Sequence, residues 1–130
     1  MTNGETISGL YKAFATGDVP RVLGTFDPNI EWNEAEGFMY GGVYNSPNAV
    51  LENVFMKFAT EWEGFSVAPN KVVDGGAGTV IATGTYSGKF LQTGKSMSVP
   101  FAHEWEFRDG KVVRFRQYTD TALIAKDLGL

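Results

Sequence analysis

The chain has 130 residues, 43 % of them hydrophobic and 14 % aromatic, with 11 basic side chains against 15 acidic ones and a net charge of −4. That length and apolar share describe one folded domain over residues 1–130 and exclude a disordered chain, and the acidic balance excludes the basic footprint of a nucleic-acid binder. With no cysteine and one histidine, disulfides, thiolate zinc sites and cysteine nucleophiles are ruled out, and no metal is expected.

Ile7, Leu10, Tyr11, Phe14 and Ala15 recur at helical spacing, and Gly17 stops that helix. Asp18 caps a second, short helix with Pro20 in its first turn. Asp27-Pro28-Asn29 reads as a turn, and Ile30, Trp32 and Glu34 alternate as a short strand. Ala35 to Asn45 is a glycine-containing loop expected at a pocket rim. Ser46-Pro47 starts a helix whose Leu51, Phe55, Phe58 and Trp62 share one face until Gly64. Strands are then predicted over 66–74, 79–86, 97–107 and 111–119, with turns at Gly75 to Gly78 and around Gly94, before a last helix over 121–128. Helices followed by an antiparallel meander predict an α+β domain with the helices on one face of a curved sheet.

The most informative stretch is the hairpin on either side of Asp109-Gly110, because Asp-Gly between alternating runs is the strongest short-range hairpin signal. An unbroken ladder from that turn sets His103 opposite Arg116, Phe101 opposite Tyr118 and Val99 opposite Asp120. Phe101, His103, Trp105, Phe107, Arg116, Tyr118 and Asp120 then share one face. An aromatic face that also carries a histidine, an arginine and a carboxylate is expected to wall a pocket. Phe115 and Gln117, with Thr79, Ile81 and Thr83, are expected on the outer face, which is too apolar to stay wet and points to a homodimer.

In several stretches the chain resembles the SnoaL-like, ketosteroid-isomerase-related branch of the nuclear-transport-factor-2-like superfamily. They are Leu10 to Asp18, Asn29-Ile30-Glu31-Trp32-Asn33-Glu34, Gly41-Gly42-Val43-Tyr44, the hairpin from His103 to Asp120, and the ending Leu128-Gly129. The resemblance implies a cone-shaped α+β fold, a curved antiparallel sheet wrapped around the N-terminal helices, usually a homodimer, with a cavity open at one end. It implies no single activity, since the fold hosts isomerases, cyclases, hydrolases, dehydratases and binding modules.

Three residues are candidates for proton transfer. Asp120 matches by position the acid/base aspartate of the polyketide cyclases, and it equally fits a cap for the last helix. His103 can shuttle a proton or donate to a substrate oxygen, or serve as a bonded core histidine. Glu34 stands near the base of the ketosteroid isomerases, at the end of the first strand, or is a solvated strand end. The isomerases' helix tyrosine is displaced by one position at Tyr11, so activity on steroids is not expected. Trp32, Trp105, Phe101, Arg116 and Tyr118 are the expected substrate contacts.

Two functions remain open on these residues. One is a cofactor-free enzyme moving a proton next to the carbonyl of a hydrophobic compound, of isomerase, cyclase or dehydratase type. The other is a non-catalytic domain that binds a small hydrophobic acid or ketone, with Arg116 pairing a carboxylate. No apolar signal core, spanning segment or basic cluster is present, so a cytoplasmic protein without a membrane partner is expected.

Overall fold

The computed structural model describes residues 1–130. Helix α1 (Asn3–Ala15) opens on a capping box, in which Thr2 Oγ1 accepts from Glu5 N at 3.1 Å and Glu5 Oε1 accepts from Thr2 N at 3.1 Å. Asp18 Oδ1 accepts from Arg21 N at 3.3 Å and caps α2 (Val19–Gly24). Ser46 Oγ accepts from Ala49 N at 3.0 Å, with Pro47 in the first position of α3 (Pro47–Val50). The helix passes through a π turn over Leu51–Phe55 and continues as α4 (Met56–Glu61). It ends earlier than expected, because Trp62 already begins a strand.

Six strands form one sheet: β1 (Phe26–Glu34), β2 (Gly42–Tyr44), β3 (Trp62–Gly76), β4 (Thr79–Phe90), β5 (Lys95–Arg108) and β6 (Lys111–Thr119), in the order β2-β1-β6-β5-β4-β3. The sheet is curved and unclosed, with β2 and β3 at its edges. It is also mixed, since β1 runs parallel to β6, which corrects the expected all-antiparallel sheet. The Asp27-Pro28-Asn29 turn is absorbed into β1, where pairing with β6 shifts between Phe26 and Glu31. Helix α5 (Thr121–Leu128) follows β6.

The core lies between the helices and the concave face of the sheet and is built around aromatic pairs. Trp32 stacks on Phe115 at a centroid distance of 3.7 Å, and Phe58 on Phe65 at 3.9 Å. Gly84 lets the wall close up, because a Cβ there would stand 2.7 Å from the Phe101 ring.

The β5–β6 hairpin turns where expected: Asp109 (φ 52°) and Gly110 (φ 77°) both take left-handed backbone, and Arg108 faces Lys111. The ladder is not unbroken, however. Phe107 pairs with Val112 but Glu106 pairs with Arg114, so Val113 is a bulge. Beyond it His103 faces Gln117, Trp105 faces Phe115 and Phe101 faces Thr119. A one-residue shift turns every later side chain over. Phe115 and Gln117 therefore point inward and are buried, while Arg114, Arg116 and Tyr118 are exposed. The physical reason is that the unbroken register would bury two guanidinium groups and expose Phe115. The expected inner face is thus corrected for Arg116 and Tyr118, and the expected outer face for Phe115 and Gln117.

Candidate active site

Between α1, the helix over 47–61 and the concave face lies a mostly apolar chamber, floored by Leu10, Phe14, Phe55, Phe58 and Val67. Its free volume is about 40 Å³, room for a few waters at roughly 10–15 Å³ each. Its polar atoms come from Tyr11 on α1, Glu34 on β1, Tyr86 on β4 and His103 on β5, and Trp32, Trp105 and Phe115 complete the wall.

Trp32 and Glu34 are two residues apart on β1 and share its inner face, so the indole Nε1–H donates to Glu34 Oε1 at 2.8 Å. The other oxygen, Oε2, is buried and has no partner in the chain. A carboxylate taken out of water with one hydrogen bond is costly, and burial raises the Glu34 pKa from the ordinary 4.5 to about 8, against the smaller lowering effect of the Trp32 bond. At neutral pH Glu34 is therefore chiefly a neutral carboxylic acid.

His103 is held between two phenols. Tyr11 Oη lies 2.6 Å from Nδ1 and Tyr86 Oη 2.5 Å from Nε2. Burial lowers its pKa from 6.5 to about 3, so the ring is neutral. Burial also raises the pKa of both tyrosines, which stay protonated. The hydrogen bonds around this trio can be counted. Trp105 Nε1–H donates to Tyr11 Oη at 3.1 Å, and Gln117 Nε2–H donates to Tyr86 Oη at 3.0 Å. Gln117 is itself fixed by its Oε1 accepting from Ala35 N at 3.0 Å. A neutral imidazole has one N–H and one lone pair. It donates to one tyrosine and accepts from the other, and in either tautomer one phenolic hydrogen is left without an acceptor in the network. That hydrogen and the Glu34 carboxyl are the chamber's free donors.

The residues predicted from sequence divide accordingly. Trp32, Glu34, His103 and Trp105 line the chamber together. Phe101 is buried behind it, stacked on His103 at 4.2 Å and on Tyr86 at 4.5 Å. Arg116 is exposed, and Tyr118 stands on the outer face, where its Oη donates to Glu104 Oε1 at 3.1 Å. Asp120 is exposed, and its Oδ1 accepts from Leu123 N at 2.9 Å to cap α5, away from the chamber. Tyr86, Gln117 and Phe115 were missed, and Tyr11 was set aside. The available signal was the Arg-Phe-Arg-Gln alternation of β6, which favours Phe and Gln as the buried pair. No three carboxylate or imidazole side chains converge to hold a metal ion, and no helix is long and apolar enough to cross a membrane.

Residues 7–115 match the SnoaL-like domain family. Among solved structures, an NTF2-like protein of Burkholderia thailandensis is 36 % identical, with 98 % of each chain covered and a TM-score of 0.94. An NTF2-like protein of Burkholderia pseudomallei is 25 % identical over the whole of both chains, with a TM-score of 0.88. TerC, crystallised with polyporic acid, is 26 % identical over 97 % of each chain, with a TM-score of 0.84. Among curated proteins none matches the chain.

Proposed function

The chain belongs to the SnoaL-like domain family, and on that footing we propose that it is a cofactor-free proton-transfer enzyme acting on a hydrophobic carbonyl compound, as a cytoplasmic homodimer. The observation that carries this reading is the buried, unpartnered Oε2 of Glu34 in an apolar chamber, with a pKa of about 8 set by burial. A proton-transfer group works best when its pKa lies near the working pH.

In the proposed step, ionised Glu34 takes a proton from the carbon next to the carbonyl. The C–H electron pair moves into the new C=C bond and the carbonyl pair onto oxygen, giving an enolate. The spare phenolic hydrogen of Tyr11 or Tyr86 bonds that oxygen, in a site where water does not compete. Glu34 then returns the proton to the same or a conjugated carbon, which is an isomerase-type outcome. Attack of the enolate on a second carbonyl would be the cyclase type. His103 is too weak a base to carry the proton; it fixes the two phenols instead. Asp120, exposed and engaged as a cap, has no part in this step.

One observation favours the second reading, a binding domain for a small hydrophobic acid or ketone. At neutral pH both free groups are donors, and they can hold an acceptor without chemistry. TerC, which was crystallised with polyporic acid, supports an acidic aromatic occupant under either reading.

Deuterium exchange into the methyl group of 2-acetylnaphthalene, followed by NMR, separates the two. The enzyme reading expects exchange that rises through about pH 8 as Glu34 ionises and falls on the order of 10²-fold or more in Glu34→Gln. Binding without accelerated exchange at any pH refutes it and leaves the binding reading.

A further inference from the structure

The chamber is small and has a larger neighbour. Tyr11 and Val67, which line it, also line a surface groove between α1 and β3. The groove offers about 620 Å³, against about 40 Å³ in the chamber. A long ligand that seats its carbonyl at Glu34 and passes between Tyr11 and Val67 would reach this groove.

The lining of that groove is chemically one-sided. Lys12 of α1 and Lys71 of β3 both stand in it, and neither joins any of the chain's ion pairs, which use Lys57, Lys89 and Arg114. No carboxylate lines it. The hollows at the β1–β6 face and beside β2 both include carboxylates, Glu31 and Glu106 in one and Glu34 and Glu36 in the other. Asn70 Oδ1 already accepts from Thr83 Oγ1 at 2.9 Å, so its amide hydrogens remain to donate. In a chain of net charge −4, an acid-free groove with two unpaired cations is the place where an anion is attracted rather than repelled.

We propose that this groove is the second half of the binding site and that Lys12 and Lys71 hold a carboxylate on the far end of the ligand. This rests on the chamber reading and deepens it. The substrate class becomes an elongated aromatic or polycyclic keto acid, with its carbonyl inside and its anionic end outside. At its N-terminal end the groove gives way to a hollow that Lys12 shares with Glu5 and Asp74, so Lys71 carries the larger share.

The test uses a matched pair of probes, neutral 2-acetylnaphthalene and anionic 6-acetyl-2-naphthoate, titrated calorimetrically into the wild type and into Lys12→Met, Lys71→Met and the double variant. Methionine keeps an unbranched apolar stem and removes the charge. The expected result is tighter binding of the anionic probe to the wild type. That affinity should drop about 5-fold in Lys71→Met, about 2-fold in Lys12→Met and roughly 10-fold for the pair, the scale of exposed charge pairs, and the advantage should shrink at high salt. Binding of the neutral probe should be unchanged throughout. If the neutral probe binds but the anionic one gains nothing and ignores both lysines, the groove is overturned and the chamber stands. If the anionic probe binds in a lysine-dependent way while the neutral one does not, the groove stands and the chamber reading fails. If neither probe binds, both are refuted.

Discussion

Replacing Glu34 by glutamine should change how stability depends on pH, and by a calculable amount. In the folded chain Glu34 has a pKa of about 8, against 4.5 for an ordinary carboxyl. Between those values the unfolded chain has lost this proton while the native chain keeps it, so stability falls as pH rises, by about 1.4 kcal/mol per pH unit. His103 has the opposite sign. Its native pKa is about 3 against 6.5, so the unfolded chain holds the extra proton in that window and stability rises with pH. From these two groups the wild type should gain stability up to about pH 4.5, stay level to 6.5 and decline towards 8. Glutamine keeps an oxygen for the Trp32 indole and removes only the titration. Its unpaired amide costs about 1–3 kcal/mol at every pH, which displaces the curve without tilting it. The difference between variant and wild type should therefore swing in favour of the variant by about 3 kcal/mol from pH 5 to pH 7.5. Urea unfolding at four pH values across that range reads it directly, and parallel curves would refute the buried, neutral Glu34.

Two further outcomes follow from the register and the caps. Asp120→Ala should cost about 1 kcal/mol as the loss of a helix cap and leave ketone exchange unchanged; a large loss of exchange with an intact fold would return Asp120 to the mechanism. Deleting Val113 removes the bulge but leaves Val112 opposite Phe107 and Arg114 opposite Glu106, so Phe115 and Gln117 should stay inward and the variant should keep a cooperative urea transition. Loss of the cooperative transition in that variant would contradict the described pairing of β5 with β6.

What the sequence shows of this molecule is what local chemistry decides. Ser46-Pro47, Asp18 and Asp109-Gly110 each place a cap or a turn within a few residues, and the alternation of Ile30, Trp32 and Glu34 puts the indole and the carboxyl on one face. The parallel pairing of β1 with β6 joins segments about 80 residues apart and leaves no local mark. The bulge at Val113 was not legible from the turn alone, and one missed residue carried Arg116, Tyr118 and Asp120 into the expected pocket. It could have been argued from energy, since Phe115 between Arg114 and Arg116 is far cheaper to bury than either neighbour. Gln117 was lost for the same reason, because its role depends on facing His103, whereas Tyr86 pairs with Val99 and reaches His103 only along the diagonal between β4 and β5.

The central claim is that a neutral Glu34 carboxyl faces the chamber, poised to exchange a proton near physiological pH. A 13C NMR titration of the glutamate side-chain carboxyls, with the Glu34 signal assigned by its loss in Glu34→Gln, measures this without any substrate. The account predicts one carboxyl with a midpoint near 8, and a midpoint for Glu34 near 4.5 would contradict it.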